Sequence, residues 1–145
     1  MERNYPMLAA DAIVLRPTAS GTHSILLVTR KKEPFQGKLA FPGGRIDYGE
    51  DPADGCLREL SEECGVQGSS PQLVTVAGKP DRDPRGHTVS IVYWVDVPPE
   101  AVVRAGDDAA TAEFYPLEQV LAAPQDLAFD HGAILRYALA QRSLL

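Results

Sequence analysis

The sequence has no long apolar run: nowhere do hydrophobic residues continue for the ~20 positions that a membrane-spanning helix requires. The first residues, MERNYPML, also lack the apolar core of a secretory signal peptide. We therefore expect a cytoplasmic protein with no membrane partner.

Cysteine is scarce, and the two cysteines that occur do not form a recognisable pair. Cys56 and Cys64 lie in one predicted helix, where a rise of about 1.5 Å per residue puts their Cα atoms roughly 12 Å apart. That separation is too large for a disulfide bond. No cysteine and histidine spacing typical of zinc sites is present either. Two reduced core thiols are expected.

Basic residues are outnumbered, with 14 Lys and Arg against 20 Asp and Glu, and the net charge is −6. This balance argues against a nucleic-acid partner, which requires a basic face. It still allows an anionic small molecule, provided that a metal ion or a local arginine cluster offsets the charge. With 145 residues, 44% of them hydrophobic, and no repeat or linker, the chain is expected to form one domain, 1–145.

Residue type and periodicity predict a strand-rich chain with three helices. The expected strands are MLAADAIVLRP, ILLVTR, HTVSIVYWVDV and AEFYPL, together with the extended segment KLAFPGGRI, which Pro-Gly-Gly interrupts. Helices are expected over 51–64, 117–122 and 131–142. This order predicts a mixed β-sheet with helices packed against it, an α/β or α+β sandwich.

The helix over 51–64 has recognisable start and stop signals. Glu50 or Asp51 can cap its beginning, Pro52 suits the first turn, and Gly65 suits the end. An apolar stripe recurs at helical spacing and is expected to pack on the sheet. Its members are Ala53, Cys56, Leu57, Leu60 and Cys64.

Three glutamates, Glu59, Glu62 and Glu63, share the other side of this helix. Like charges at this spacing repel by a few tenths of a kcal/mol per pair. Either the carboxylates form an ordinary solvated face, or they hold a cation. Upstream, Gly43 and Gly44 form either a simple tight turn or a close approach that exposes carbonyl oxygens. Carboxylate and carbonyl oxygens are the ligands that Mg²⁺ prefers, usually together with substrate phosphates.

The spacing of these residues resembles the Nudix box, G-x5-E-x7-R-E-U-x-E-E-x-G-U, in which U is apolar. Every fixed position is matched. The matching residues are Gly44, Glu50, Arg58, Glu59, Leu60, Glu62, Glu63, Gly65 and Val66. The predicted elements on either side also resemble the Nudix α/β/α sandwich over nearly the whole chain.

The resemblance implies hydrolysis of a nucleoside diphosphate linked to another group, with Mg²⁺ as cofactor and Mn²⁺ as a possible substitute. Glu62 and Glu63 would then bind metal, with Glu59 a further ligand or the base that activates water. Arg58 would orient Glu59. In the same family pattern the Gly44 carbonyl is another candidate ligand, while Glu50 and Gly65 are structural members of the motif.

Two segments resemble those of ADP-ribose pyrophosphatases. In KPDRDPRGHTVSIVYW, Arg82 and Arg85 either bind phosphate or ribose oxygens or pair with the aspartates of their own loop. In KKEPFQGKLAFPGG, Phe35 either stacks on an adenine or packs on the core. Asp108, in GDDAATAEFYPL, is a candidate metal ligand or base by resemblance, although aspartates are also common in surface turns.

Four further residues carry weaker expectations. Asp11, a charge in an apolar strand, belongs either at a subunit interface or near a base pocket. Gly55 lies on the acidic side of the helical wheel, where it either makes room for a ligand or is a tolerated weakness. Asp130 suits the cap of the last helix, whose FDH opening resembles the ADP-ribose group, and His131 is expected to be structural.

The sequence therefore predicts a Mg²⁺-dependent Nudix pyrophosphohydrolase with a small-molecule nucleotide substrate. ADP-ribose, giving AMP and ribose 5-phosphate, or a related nucleoside diphosphate sugar is the expected substrate. A nucleoside triphosphate pyrophosphohydrolase that removes oxidised nucleotides is the alternative enzyme. A non-catalytic ligand-sensing domain is a third hypothesis, although such domains often have an eroded box and this one is intact. A homodimer is expected by resemblance.

Overall fold

Two β-sheets form the centre of the molecule in the computed structural model, which describes residues 4–106 and 109–145. The strands are β1 (Met7–Ile13), β2 (Leu15–Pro17), β3 (His23–Arg30), β4 (Leu39–Ala40), β5 (Gly43–Arg45), β6 (Ser69–Ala77), β7 (Thr88–Asp96) and β8 (Ala109–Pro116). The helices are α1 (Pro52–Cys64), α2 (Leu117–Ala122) and α3 (His131–Gln141), and a short 3₁₀ turn spans Pro124–Asp126.

The first sheet has the strand order β5-β1-β7-β6. Strands β1 and β7 run parallel, whereas β5 pairs with β1 and β6 pairs with β7 in antiparallel fashion, so this sheet is mixed. In the second sheet β3 is central and pairs antiparallel with β2, β4 and β8.

Helices cover both sides because alternate residues of the central strands point in opposite directions. The core beneath α1 joins Cys56 and Leu60 of this helix to Ala10, Ala12, Leu26 and Val28 of the strands. The residues that share a core with α3 are Ile13, Ile25, Leu27, Val92, Leu135 and Leu139. This is the α/β/α sandwich that the sequence predicted. Within the described ranges, no helix is long and apolar enough to cross a membrane.

Strand β6 was missed by the sequence patterns, as was the short 3₁₀ turn Pro124–Asp126. The β6 segment SSPQLVTVA contains Pro71 and is largely exposed, with Val74 as its buried residue. Proline is tolerated there because β6 pairs only with β7 and lies at the edge of its sheet. The β-branched run that ends this segment was the available signal.

Candidate active site

Helix α1 begins and ends as its sequence predicts. Asp51 is the cap, and its Oδ1 accepts a hydrogen bond from the Ala53 amide at 2.9 Å, while Pro52 occupies the first turn. Gly65 closes the helix in the left-handed conformation, with φ of 69°. These ends orient the helix so that Cys56, Leu60 and Cys64 are buried against the sheets and its acidic side faces outward.

Arg58 lies at the centre of the acidic side of α1 and forms hydrogen bonds with three carboxylates, with that of Asp47 a further 3.5 Å contact. Its Nε and Nη2 donate to the two oxygens of Glu50 at 2.8 and 3.0 Å. Its Nη1 donates to Glu59 Oε1 at 2.9 Å and to Glu62 Oε2 at 3.1 Å. A further bond from Nη2 reaches the Arg45 carbonyl at 2.9 Å, which ties the helix to β5. One guanidinium thus offsets much of the repulsion among these glutamates.

Glu50 joins the loop before α1 to the helix. Its Oε1 also accepts from the Asp47 amide at 2.9 Å. These bonds, first the one from Arg58, lower the pKa of Glu50 to about 2. Gly55 is buried beside this carboxylate, since an added Cβ would lie 2.9 Å from Glu50 Oε1. The space that Gly55 leaves is therefore taken by Glu50, on the acidic side of the helix where the helical wheel places Gly55.

The backbone of Gly44 passes directly against Glu59. A Cβ at Gly44 would lie 2.5 Å from both Cδ and Oε2 of the Glu59 carboxylate, so a side chain has no room there. Carboxylate oxygens beside an exposed backbone segment have the chemistry of a site for a hard divalent cation. In the described ranges, however, no group of three or more acidic, histidine or cysteine side chains is arranged to hold a metal. Glu59 and Glu62 instead each bind Arg58.

A cleft of about 720 Å³ opens beside the two glycines of β5. That volume lies within the range of small-molecule and cofactor sites in proteins. The residues of its wall include Asp11, Gly43, Gly44, Glu63, Arg82, Arg85, Ser90, Phe129 and His131. The cleft therefore connects α1 with β1, β7 and the first turn of α3.

The two arginines of the β6–β7 loop both line the cleft, and each is paired with an aspartate. Arg82 donates through Nη2 and Nε to the two oxygens of Asp130, at 2.8 and 2.9 Å, and its side chain is only 5% exposed. Arg85 makes a similar fork to Asp83, at 2.8 and 3.1 Å, but its side chain is 59% exposed. Arg82 is a buried structural residue that links its loop to Asp130, a role called the Arg82 strut, whereas Arg85 retains a surface that a ligand can reach.

Asp130 does not act as the side-chain cap that was expected. It occupies the residue before α3, but its carboxylate forms no capping hydrogen bond. Both of its oxygens bind Arg82 instead. The charge-assisted fork is stronger than a neutral capping bond, and it joins the start of α3 to the β6–β7 loop.

Asp11, Ser90 and His131 form a buried polar group at the floor of the cleft. The Ser90 hydroxyl donates to Asp11 Oδ2. His131 stacks on Phe41, with ring centroids 4.4 Å apart, and its Nδ1 accepts from the Phe41 amide at 3.1 Å. Burial raises the pKa of Asp11 to about 6 and lowers that of His131 to about 3. The imidazole is therefore neutral at pH 7.

Comparison with known proteins identifies the family. The NUDIX domain model matches residues 6–138. An ADP-ribose pyrophosphatase of Methanocaldococcus jannaschii is 40% identical over 132 residues, which cover 91% of this chain and 72% of the relative. The chain belongs to the Nudix family. The class of enzyme predicted from the sequence, a Nudix pyrophosphohydrolase, is confirmed by this match and this relative.

Two further similarities concern proteins that respond to or bind ADP-ribose. The ADPR responsive transcriptional repressor NtrR of Acinetobacter baylyi is 31% identical over 138 residues, and the chain spans 94% of its own length but only 54% of the repressor. The NUDIX domain of Shewanella oneidensis NrtR, solved with ADP ribose, is 27% identical with a TM-score of 0.86, covering 99% of this chain and 91% of that one. The mixed α+β fold is thus a Nudix fold.

The residues of the Nudix box lie together, but the other predicted site residues lie in different places. Phe35 packs against the α1 core with its ring centroid 4.8 Å from that of Phe129, and it does not line the cleft, whereas Phe129 does. Adenine stacking by Phe35 stays a prediction. Asp108 lies outside the described residues. Ser90 was missed because a lone serine in a strand gives no signal. Asp11 was expected either at a subunit interface or near a base pocket, and it lines the cleft.

Proposed function

We propose that this chain hydrolyses the pyrophosphate bond of a nucleoside diphosphate linked to another group, with ADP-ribose giving AMP and ribose 5-phosphate. The observation that carries the proposal is the Nudix box folded into one network around Arg58, with Gly44 pressed against Glu59, at the edge of a nucleotide-sized cleft. The 40% identical pyrophosphatase supports ADP-ribose as substrate.

Nudix hydrolases generally use divalent metals, and we propose Mg²⁺ here, with Mn²⁺ as a substitute. The residues proposed to hold it are Glu59, Glu62, Glu63, the Gly44 carbonyl and Asp108. When bound, the cation would neutralise the diphosphate and lower the pKa of a water molecule. Glu59 is either a ligand or the base for that water. Arg58 holds the carboxylates of Glu59 and Glu62 side by side, and release of its bonds would free oxygens for the cation.

The substrate contacts are proposed from exposure. Arg85 presents a half-exposed guanidinium to the cleft and is proposed to bind phosphate or ribose oxygens. Arg82 remains a proposed substrate residue, although its donors already bind Asp130 and the Thr88 carbonyl. Glu50 and Gly65 keep their structural roles. A cytoplasmic homodimer of one domain, without a nucleic-acid partner, completes the proposal.

A panel of nucleotides tests the proposed substrate. The purified protein is incubated with Mg²⁺ and either ADP-ribose, another nucleoside diphosphate sugar or 8-oxo-dGTP, and products are separated by chromatography. ADP-ribose should be cleaved fastest, and EDTA should abolish turnover. Much faster cleavage of 8-oxo-dGTP would contradict the proposal in favour of the triphosphate pyrophosphohydrolase.

Similarity to the ADPR responsive repressor favours ligand sensing as the second candidate function. A sensor binds ADP-ribose without needing to cleave it. Tight binding of ADP-ribose by calorimetry, with no product after long incubation in Mg²⁺ or Mn²⁺, would select this candidate. Measurable turnover that needs the metal would select the enzyme.

A further inference from the structure

The floor of the cleft contains a donor and an acceptor that face each other without bonding. The side-chain direction along β1 and β7 places Asp11 and Ser90 on the α3 side of the sheet, as it does their neighbours Ile13 and Val92. His131 comes from the first turn of α3. Its Nε2 lies 3.9 Å from Asp11 Oδ2, beyond hydrogen-bonding distance.

The position of the imidazole proton follows from the Phe41 contact. Nδ1 accepts from the Phe41 amide, so in the neutral ring the proton is on Nε2. Stacking on Phe41 holds the ring in place. In the described parts of the chain, no fully buried polar side-chain atom lacks a partner. Nε2 forms no hydrogen bond to the described residues, so it cannot be one of these fully buried atoms and has some exposed surface. His131 lines the cleft, and Nε2 is therefore open to the cleft.

Asp11 is held just as firmly on the opposite side. Its Oδ2 accepts from the Ser90 hydroxyl. Its Oδ1 lies over Gly43, where an added Cβ would overlap it. The Arg82 strut fixes Asp130, the residue next to His131, so both halves of the gap are rigid.

The distance between the two groups suits one bridging oxygen atom. Two hydrogen bonds of about 2.8 Å each can bridge a gap of 3.9 Å through one atom. That atom must accept from Nε2–H and donate to a carboxylate. A hydroxyl group does both, whereas a phosphate oxygen cannot donate and an ammonium group cannot accept.

The gap lies one residue along β5 from the acidic helix. Asp11 is paired with Gly43 in the β1–β5 register, and Gly44 touches Glu59. Neighbouring strand residues are about 3.3 Å apart but point to opposite sides of the sheet. Gly44 and Glu63 nevertheless line the same cleft as Asp11 and His131, so a sugar joined to a diphosphate at the α1 end of the cleft would extend toward Asp11 and His131.

Building on the proposed function, we propose that Asp11 and His131 form a subsite that binds one hydroxyl group of the sugar joined to the diphosphate. Ser90 positions the Asp11 carboxylate. The subsite selects hydroxylated sugars over deoxygenated ones. Either ribose of ADP-ribose offers such a hydroxyl, and an analogue that lacks the hydroxyls of one ribose shows which of the two is bound.

The test measures binding by calorimetry in Mg²⁺, and in every ligand a methylene group replaces the bridging oxygen of the diphosphate, which prevents turnover. The ligands are ADP-ribose, an analogue in which a tetrahydrofuran ring without hydroxyls replaces the terminal ribose, and an analogue with 2′,3′-dideoxyadenosine. The variant is Asp11→Asn, which preserves shape and removes the charge. Asp81→Asn, an exposed carboxylate of the β6–β7 loop outside the cleft wall, is the matched control.

Asp11→Asn should weaken ADP-ribose binding roughly tenfold or more, because a hydrogen bond to a charged group is lost. It should leave unchanged the binding of the analogue that lacks the recognised hydroxyl, and that analogue identifies which ribose is bound. Ser90→Ala should give the same pattern with a few-fold loss, and it replaces Asp11→Asn if that variant fails to fold. Asp81→Asn should change nothing.

Equal weakening of all three ligands would overturn the subsite, since it would reveal a structural role only. No weakening of any ligand would overturn it as well. If the wild-type protein bound no ADP-ribose, the proposed function would fail and the subsite with it, a result distinct from normal binding that Asp11→Asn leaves intact.

Discussion

The acidic side of α1 carries several carboxylates and the floor of the cleft carries one, and the two regions stabilise negative charge differently. On α1 the glutamates are partly exposed, and one guanidinium balances several of them. At the floor Asp11 is buried; it accepts a hydrogen bond from the Ser90 hydroxyl and faces a neutral imidazole at 3.9 Å. The first arrangement suits a cation, because it leaves excess negative charge near solvent. The second suits an uncharged polar group, because additional charge there would be desolvated at high cost.

The largest expected effect comes from adding a side chain at Gly44, where the backbone contacts Glu59 on the acidic side of α1. Gly44→Ala places a Cβ against the Glu59 carboxylate and must displace it. Turnover should fall on the order of 100-fold, in the range seen when one preorganised group is lost from a site. Gly78→Ala is the control, since its added Cβ would have no neighbour nearer than 3.7 Å. Undiminished turnover of Gly44→Ala in a steady-state assay would contradict a role for this contact.

The two arginine–aspartate pairs should separate stability from binding. Arg82→Met leaves Asp130 without its buried partner and should cost about 2–4 kcal/mol of unfolding free energy. Arg85→Met removes an exposed pair and should cost less than about 1 kcal/mol, while raising KM for the substrate.

Denaturant unfolding and steady-state kinetics of both variants check this difference. Arg136→Met, an exposed arginine of α3, serves as the control for loss of surface charge. If Arg82→Met were as stable as wild type and Arg85→Met strongly destabilised, the assignment of strut and ligand-facing residue would be reversed.

The smallest effect concerns the pH dependence of stability at the cleft floor. The folded-state pKa of Asp11, about 6, is above its ordinary value of 3.8, so the folded state binds the proton more tightly. This contribution favours folding increasingly as pH falls from about 6 to 4. The charged and titratable groups around it are His131, Arg82, Asp130 and Glu59.

Asp11→Asn removes that contribution. The variant should be more stable than wild type by about 1–3 kcal/mol above pH 7, and the advantage should vanish near pH 4. Denaturant unfolding at several pH values measures the difference. A constant difference across this range would mean that Asp11 does not titrate as described.

The same two regions show why part of the site could be predicted from sequence. The Nudix box lies within one turn, one loop and one helix, so its spacing alone brought Glu50, Arg58 and Glu59 together. The ends of α1 followed from Asp51, Pro52 and Gly65 for the same local reason. Most strands followed from runs of apolar, β-branched and aromatic residues, and β6 was missed because Pro71 and high exposure obscured it.

The cleft floor could not be predicted because its residues are far apart in the chain. Asp11 and Ser90 meet through the parallel pairing of β1 with β7, and His131 arrives from α3 after the chain has crossed the sheet. Asp130 satisfied a local capping rule, but a distant arginine took its carboxylate. Both outcomes depend on contacts between residues far apart in the chain, which local sequence patterns do not reveal.

The central claim is that the acidic side of α1 holds a divalent cation against a diphosphate. Binding of Mn²⁺ can be measured by electron paramagnetic resonance with ADP present, comparing the wild-type protein with Glu62→Gln and with Asp54→Asn, an exposed carboxylate in the first turn of the same helix. Wild type and Asp54→Asn should take up Mn²⁺, and Glu62→Gln should bind it at least tenfold more weakly. Absence of uptake by the wild-type protein, or equal uptake by Glu62→Gln, would contradict the claim.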